Sequence, residues 1–338
     1  MIFFENNWCL KCNRQLGFLP EALVLNTLEK APNDQWYVAW KGVSGKTYRP
    51  CANSKNGVCN WLVPADDPNA WCLACRLNEI IPDLTQAGNL ARWAKLELAK
   101  RRCIYTFLRL GLPVANSPDN TQPSLKFKFL EDKPNSPVKT GHENGVVTVN
   151  VAEADEDERE RRRVNLNEPY RTLVGHFRHE SGHYFWDRLI ANSPHLPRFR
   201  ELFGDETASY NTALETYYKQ GPAADWGSKT VTPYASSHPW GDWAETWAHY
   251  LHIVDTLETA ASFRLSIHEN VPTKPGSITY RADMNFDKLL AEWTPLTCAL
   301  NTINRSMGLS DLYPFIIPPP VVEKLRFIHR LILENAGK

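Results

Sequence analysis

The sequence predicts an α+β protein in which a small cysteine-rich module precedes a larger, helix-rich domain. Two C-x-x-C pairs, Cys9/Cys12 and Cys72/Cys75, lie near the start of the 338-residue chain. Short β-branched or alternating segments follow at 125–130 and 145–151. After them come long stretches with apolar residues three and four apart, the signature of amphipathic helices. The length exceeds one average domain. The expected division is 1–80 for the cysteine module, 81–144 for a helical connector and loop, 145–300 for the main domain, and 301–338 for a C-terminal extension.

Composition bounds the function. Apolar residues make up 43% and charged residues 22% of the chain, which is globular rather than disordered. Twelve tryptophans imply a substantial core. Lys+Arg and Asp+Glu are equal at 38 each, so no global field draws the chain to nucleic acid or membrane. The opening MIFFENNWCLKC lacks a basic segment followed by a long apolar run, so it does not read as a signal peptide. No stretch approaches the roughly eighteen apolar residues of a membrane span. A cytoplasmic setting is expected, where paired cysteines favour metal over disulfides.

In the first module, two thiolates two residues apart can grip one zinc from a tight turn. Cys51 and Cys59 lie between the pairs, in CANSKNGVCNW. Six cysteines do not divide into fours. Either Cys9, Cys12, Cys72 and Cys75 form a ribbon site across a long insertion, or Cys51, Cys59, Cys72 and Cys75 form a compact one. A redox role is disfavoured, because no βαβ pattern surrounds the pairs. Cys103 and Cys298 stand alone in apolar surroundings and read as core.

Beyond the module, Asn89 can cap a helix over 90–110 with Leu90, Trp93, Glu97, Arg101, Ile104 and Leu108 in register, and Gly111 stops it. The run at 99–102 reads as a solvated helical face, with nucleic-acid contact the less favoured reading. Residues 113–144 read as loop with one strand at 125–130. The charged run at 152–163 reads as a surface helix, with Asp157–Arg161 and Glu158–Arg162 at the stabilising i,i+4 spacing.

The stretch at 170–190, YRTLVGHFRHESGHYFWDRLI, contains His179-Glu180-Ser181-Gly182-His183. On a helix, residues four apart share a face, so both histidines can bind one Zn²⁺. Glu180 lies about 100° round the axis, placed to act as general base on a metal-bound water. Pro169 sits near the helix start, where its missing N–H is tolerated. The strand at 145–151 stands where a zincin-like fold has its substrate-flanking strand. Gly182 permits close approach, Asp187 can orient His183, and His176 reads as a core histidine.

A third ligand must come from elsewhere. Six residues after His183 stands Leu189, and nineteen or twenty on stand Leu202 and Phe203, so the common spacings fail. The helix DWAETWAHYLH, 242–252, offers Glu245, with His249 and His252 along one stripe. A capping pair, Asp242 with Glu245, explains the glutamate without a metal. Glu245 is the expected ligand, ahead of Asp205, Glu206 and His238. A donor to the developing oxyanion is also needed. Tyr184, Tyr234, His238, His249 and Tyr250 qualify, and His249 is favoured. Pro318-Pro319-Pro320 then precedes an amphipathic helix at 321–333.

FFENNWCLKCNRQLGFLP, CNWLVP, CLACRLNEIIPDL, LELAKRR, EPYRTLVGHFRHESGHYFWDRL, FGDE and HPWGDWAETWAHYLHIVDTLETA together carry a family resemblance. From about residue 3 to about 262 the chain resembles a bacterial family, defined largely by sequence, of zinc-binding metallopeptidases with an N-terminal zinc ribbon. The resemblance implies His179 and His183 as ligands, Glu180 as base, and a peptide or protein substrate. It implies one catalytic and one structural zinc. Members carry a further C-x-x-C just before the FFEN segment, and this chain begins at Met1 without it, as a late-start version would. If that pair partners Cys9 and Cys12, the compact Cys51/Cys59/Cys72/Cys75 site is the one left intact, and it is preferred. The alternative function is a ribbon-led module binding nucleic acid or protein, with an inactive or non-peptide hydrolase behind it.

Overall fold

A computed structural model describes residues 2–43, 45–114, 124–165, 168, 170–265, 267 and 285–336. Pro169, expected near a helix start, lies outside the described residues, as does 115–123 of the expected loop. The chain divides into two compact units: Met1–Arg109 with Pro113–Asn167 and Arg171–Phe177, and Leu110–Leu112 with Glu168–Tyr170 and Arg178–Lys338.

The first unit opens with β1 (Trp8–Cys9), β2 (Arg14–Leu19), β3 (Val24–Lys30), β4 (Trp36–Val38), β5 (Thr47–Pro50) and β6 (Leu62–Pro64). They pair antiparallel in chain order. Asn33 and Asp34 adopt φ of 59° and 55° between β3 and β4, which these residue types tolerate and a tight hairpin demands. Leu19, Leu28, Val38, Val43, Tyr48 and Leu62 make a small core.

A second sheet holds β7 (Asn78–Ile80), β8 (Lys126–Leu130), β9 (Gly141–Glu143) and β10 (Val146–Asn150) in the order β7-β8-β10-β9. β8 and β10 match the two expected strands. β9 lies inside the expected loop, and its signal was the Asn144-Gly145 pair, which turns the hairpin with both residues at positive φ.

Helix α1 (Asn89–Arg109) starts at the expected Asn89. Its 99–102 run is not a solvated face, however. Ala99, Lys100 and Arg101 are buried and Arg102 alone faces solvent. The apolar stripe that carries Trp93 and Ile104 also carries Glu97 and Arg101, so helical phase rather than charge decided burial.

The surface helix α2 (Glu156–Asn165) follows a 3₁₀ turn, Val151–Ala154. Glu158 accepts from Arg162 at 2.6 Å as expected, but Arg161 turns to Glu158 rather than Asp157. The first turn of α3 (Leu173–Leu189) lies in this unit. Phe177 there packs edge-on against Phe127 and Phe129 of β8.

The second unit holds the rest of α3, then α4 (Leu196–Phe203), α5 (Tyr210–Gln220), α6 (Trp226–Lys229), α7 (Pro239–Ser262), α8 (Phe286–Ser306) and α9 (Pro319–Asn335). The centre is α7, whose Trp243, Trp247, Leu251, Val254 and Leu257 are buried. Phe185 and Trp243 stack on Trp247, while Phe199 and Phe203 meet the edge of Trp243. Each large apolar side chain so buried stabilises by about 1.5–3 kcal/mol relative to exposure.

The alternative reading of Asp242 and Glu245 as a capping pair does not hold. The helix begins at Pro239, and His238 is the cap, its Nδ1 accepting from the Trp240 amide. Asp242, inside the helix, instead accepts from Lys324 Nζ of α9 at 2.5 Å, and Lys324 also donates to the Lys229 carbonyl at 2.8 Å. The amphipathic α9 buries Val321, Leu325, Ile328, Leu331 and Ile332.

Cys103 is core as expected, but Cys298 is exposed on α8, because the buried stripe there runs through Leu289, Trp293 and Leu296. Among the described residues no helix is long and apolar enough to cross a membrane.

Candidate metal centres

Four cysteines meet in the first unit. Cys51 follows β5, and Gly57, in the left-handed region at φ 70°, reverses the chain so that Cys59 comes back beside it. Cys72 and Cys75 sit on the next turn. All four are buried, and their sulfurs lie within 4.8 Å of one another. Cys59 Sγ and Cys72 Sγ are 3.7 Å apart. A tetrahedral zinc with bonds near 2.3 Å would set its sulfurs about 3.8 Å apart, so the cradle fits that ion.

Backbone amides point at the thiols: Cys72 N–H at Cys51 Sγ (3.4 Å) and Trp61 N–H at Cys59 Sγ (3.5 Å). Cys75 is lowered to about 7; the Cys51 contact raises it, and Cys59, Cys72 and the Lys100 charge outweigh that. Cys9 is half-buried and Cys12 exposed, and neither belongs to this group. Of the two expected groupings, the compact one is therefore the one assembled.

The second centre is built where α3 and α7 touch. A Cβ on Gly182 would come within 2.9 Å of Ala244 Cα. The small residue therefore admits a neighbouring helix, and Trp243 Nε1 donates to the Gly182 carbonyl at 2.8 Å. Gly182→Ala should wedge the helices apart. The expected loss is about 1–3 kcal/mol of stability, read as a lower denaturant midpoint with unchanged slope.

That contact lays Glu245 against His179. Glu245 Oε1 is 2.5 Å from His179 Nδ1, and Oε2 accepts from Thr232 Oγ1 at 2.8 Å. The His179 and His183 rings stand edge to face with centroids 5.1 Å apart, and Trp240 lies 4.2 Å from His183.

Burial pulls the His179 imidazole down, but the hydrogen bond and charge of Glu245, with Glu180 behind them, carry it above its ordinary value. Glu245 feels burial pushing up, yet His179, His249 and Thr232 hold it at about 2. Glu180 rises above the ordinary carboxylate range because burial dominates, with His179 countering and Glu245 adding.

The other expected ligands are otherwise engaged. Asp205 accepts from the Thr207 amide and hydroxyl, and Glu206 is gripped by both arms of Arg200. His238 uses one ring nitrogen on the Trp240 amide and donates the other to the Ala208 carbonyl.

His249 is hydrogen-bonded through Nδ1 to Tyr313 Oη (2.6 Å) and packs on Phe315. Burial, its largest influence, pushes it down to about 4, with Glu245 countering. His252 Nδ1 meets Arg178 at 2.6 Å. His176 stands 3.9 Å from the Glu153 carboxylate in the first unit. Asp187 is raised to about 6 by burial.

Thr232, Tyr210, Trp240, Tyr313 and Phe315 were not singled out in the sequence. Tyr210 Oη and Tyr234 Oη are 2.8 Å apart, their rings against His183 and His179 respectively. Only the crowding of aromatics around HPW at 238–240 hinted at them.

Two imidazoles and a carboxylate are the donor chemistry of an open, three-ligand zinc site. Among the described residues, the cysteines are the group of three or more whose ligand atoms all lie within 4.8 Å. The second centre is a bonded His179–Glu245 pair with His183 alongside.

The family described as "Putative zinc-binding metallo-peptidase" matches residues 89–331, and a zinc-ribbon domain matches residues 1–86. An uncharacterized protein of Mycobacterium bovis and two of Mycobacterium tuberculosis strains are each 42% identical over 338 residues, covering 98% of this chain and 92% of the relative. No solved structure matches. With its peptidase region matched over most of the chain and its ribbon in front, this α+β protein belongs to the family of putative zinc-binding metallo-peptidases.

Proposed function

We propose that the chain is a zincin-like, zinc-dependent peptidase acting on peptide or protein substrates. His179, His183 and Glu245 hold the catalytic ion, and Glu180 is the general base. Cys51, Cys59, Cys72 and Cys75 hold a structural zinc. The observation that carries this reading is the 2.5 Å contact between His179 on α3 and Glu245 on α7, beside a half-buried Glu180. Helix packing alone would leave such a carboxylate free to face away. The thiols must stay reduced to bind metal, which favours the cytoplasm.

When bound, zinc would polarise the scissile carbonyl and lower the pKa of a water towards about 7. Glu180 takes the proton of the attacking water and passes it to the leaving nitrogen. Burial raises its carboxyl above the ordinary range, which makes it a stronger base than an exposed glutamate. Thr232 donates to Oε2 of Glu245 and so orients its carboxylate.

For the developing oxyanion, His249 remains the proposed donor. Tyr313 donating to Nδ1 would leave the proton on Nε2, and burial, the largest influence, favours the neutral ring. The Tyr210–Tyr234 hydroxyl pair, facing both histidines, is the other source of donors.

The test is metal removal. Treatment with 1,10-phenanthroline should abolish cleavage of a fluorogenic peptide library, and added Zn²⁺ should restore it. Cleavage that survives in metal-free protein would overturn the reading.

A further inference from the structure

Helix α1 turns three charged side chains inward beside the cysteine cluster. Glu97 and Lys100 are fully buried and Arg101 is 5% exposed. Glu97 Oε2 lies 3.9 Å from Cys75 Sγ and 4.0 Å from the Arg101 guanidinium. Lys100 Nζ donates to Glu97 Oε1 at 2.9 Å and to Asn78 Oδ1. Trp93 Nε1 and Asn78 Nδ2 also donate to Glu97 Oε1, at 3.1 Å and 2.7 Å. Arg101 donates to the carbonyl of Val58, the residue before Cys59.

Buried charge is costly unless compensated. A lone Glu97–Lys100 pair would balance itself, so Arg101 is the surplus, and it needs a negative partner. Four thiolates around a divalent ion carry two negative charges that the dry interior leaves unscreened.

We propose that Lys100 and Arg101 of α1 are counter-ions of the Cys51/Cys59/Cys72/Cys75 metal site, so that the ribbon's metal is held jointly by the cysteine module and a helix beyond it. The proposal rests on the reading that this cluster binds zinc. Glu97 offsets part of the charge of these two cations, and its carboxylate, 3.9 Å from Cys75 Sγ, opposes the thiolate there. The zinc-ribbon match ends at residue 86 and α1 begins at Asn89, so the counter-ions lie outside the ribbon as the family defines it.

The experiment uses the full chain with Co²⁺ in place of zinc, since thiolate-to-cobalt absorption reports the cysteine site apart from the histidine one. Metal loss to a chelator is timed for three variants. Lys100→Met and Arg101→Met keep the apolar stems and remove charge; each should speed release about 10–100-fold. Glu97→Gln keeps shape but removes a negative charge, and should leave release unchanged or slow it. A purely structural role would loosen the metal in all three alike, and that result, or unchanged release from the methionine variants, would overturn the proposal. If Lys100→Met fails to fold, Arg101→Met against Arg101→Lys carries the same contrast, with the lysine expected to restore slow release. No thiolate absorption in the unsubstituted protein would instead strike down the zinc reading beneath it.

Discussion

Glu180→Gln is expected to lower peptide hydrolysis about 10²–10⁴-fold, the usual contribution of a positioned general base. Zinc content and thermal midpoint should not move. Glutamine matches the carboxylate in shape and still accepts a hydrogen bond, so the α3–α7 contact and the His179–Glu245 pair survive. What it cannot do is take a proton.

The pH profile gives a second handle. Burial, the largest influence, raises Glu180, with His179 opposing and Glu245 adding. A base works deprotonated, so activity should climb with pH through a limb lying above the ordinary carboxylate range. Steady-state rates on a fluorogenic peptide, with metal analysis of the same sample, check both. A variant that loses its zinc along with its activity would place Glu180 in the fold rather than in the chemistry.

Cys72→Ser should have the largest effect on structure. One cluster of the six-stranded sheet's core is small: Leu19, Leu28, Val38, Val43, Tyr48 and Leu62. A module under about 80 residues rarely draws more than 3–5 kcal/mol from such a core. Zinc in small cysteine sites contributes about 10–16 kcal/mol of apparent binding free energy, which is folding free energy when the site forms only in the native state. Losing one thiolate should therefore drop one zinc per chain and expose residues 1–86 to protease. Limited proteolysis read by mass spectrometry checks this. A variant that keeps its metal count and its protease resistance would mean that the sheet stands without the cluster.

Much of the second centre was legible because it is local. His179, Glu180 and His183 lie within one helical turn, so spacing alone put them together. Glu245 was reached by elimination along a second amphipathic helix, and its meeting with His179 depends on two small residues, Gly182 and Ala244, facing each other. Gly182 was read as a point of close approach, though the neighbour is a helix rather than a strand or substrate.

Tertiary structure overruled the local signals elsewhere. Asp242-x-x-Glu245 imitated a capping pair, but Pro239 at the first helical position made the preceding histidine the cap. Lys100 and Arg101 looked like a solvated charge run, although Arg101 had already fallen on the apolar stripe with Trp93 and Ile104. The Tyr313–Phe315 contact with His249 joins residues more than sixty apart, and no periodicity announces a contact of that kind.

One ion is expected among His179, His183 and Glu245, and anomalous diffraction at the zinc edge tests this most directly. Crystals grown with zinc should show one peak within the four cysteine sulfurs and a second within about 2.0–2.2 Å of both imidazoles and the Glu245 carboxylate. A map with density only at the cysteines, and the His179–Glu245 hydrogen bond still closed, would contradict the account.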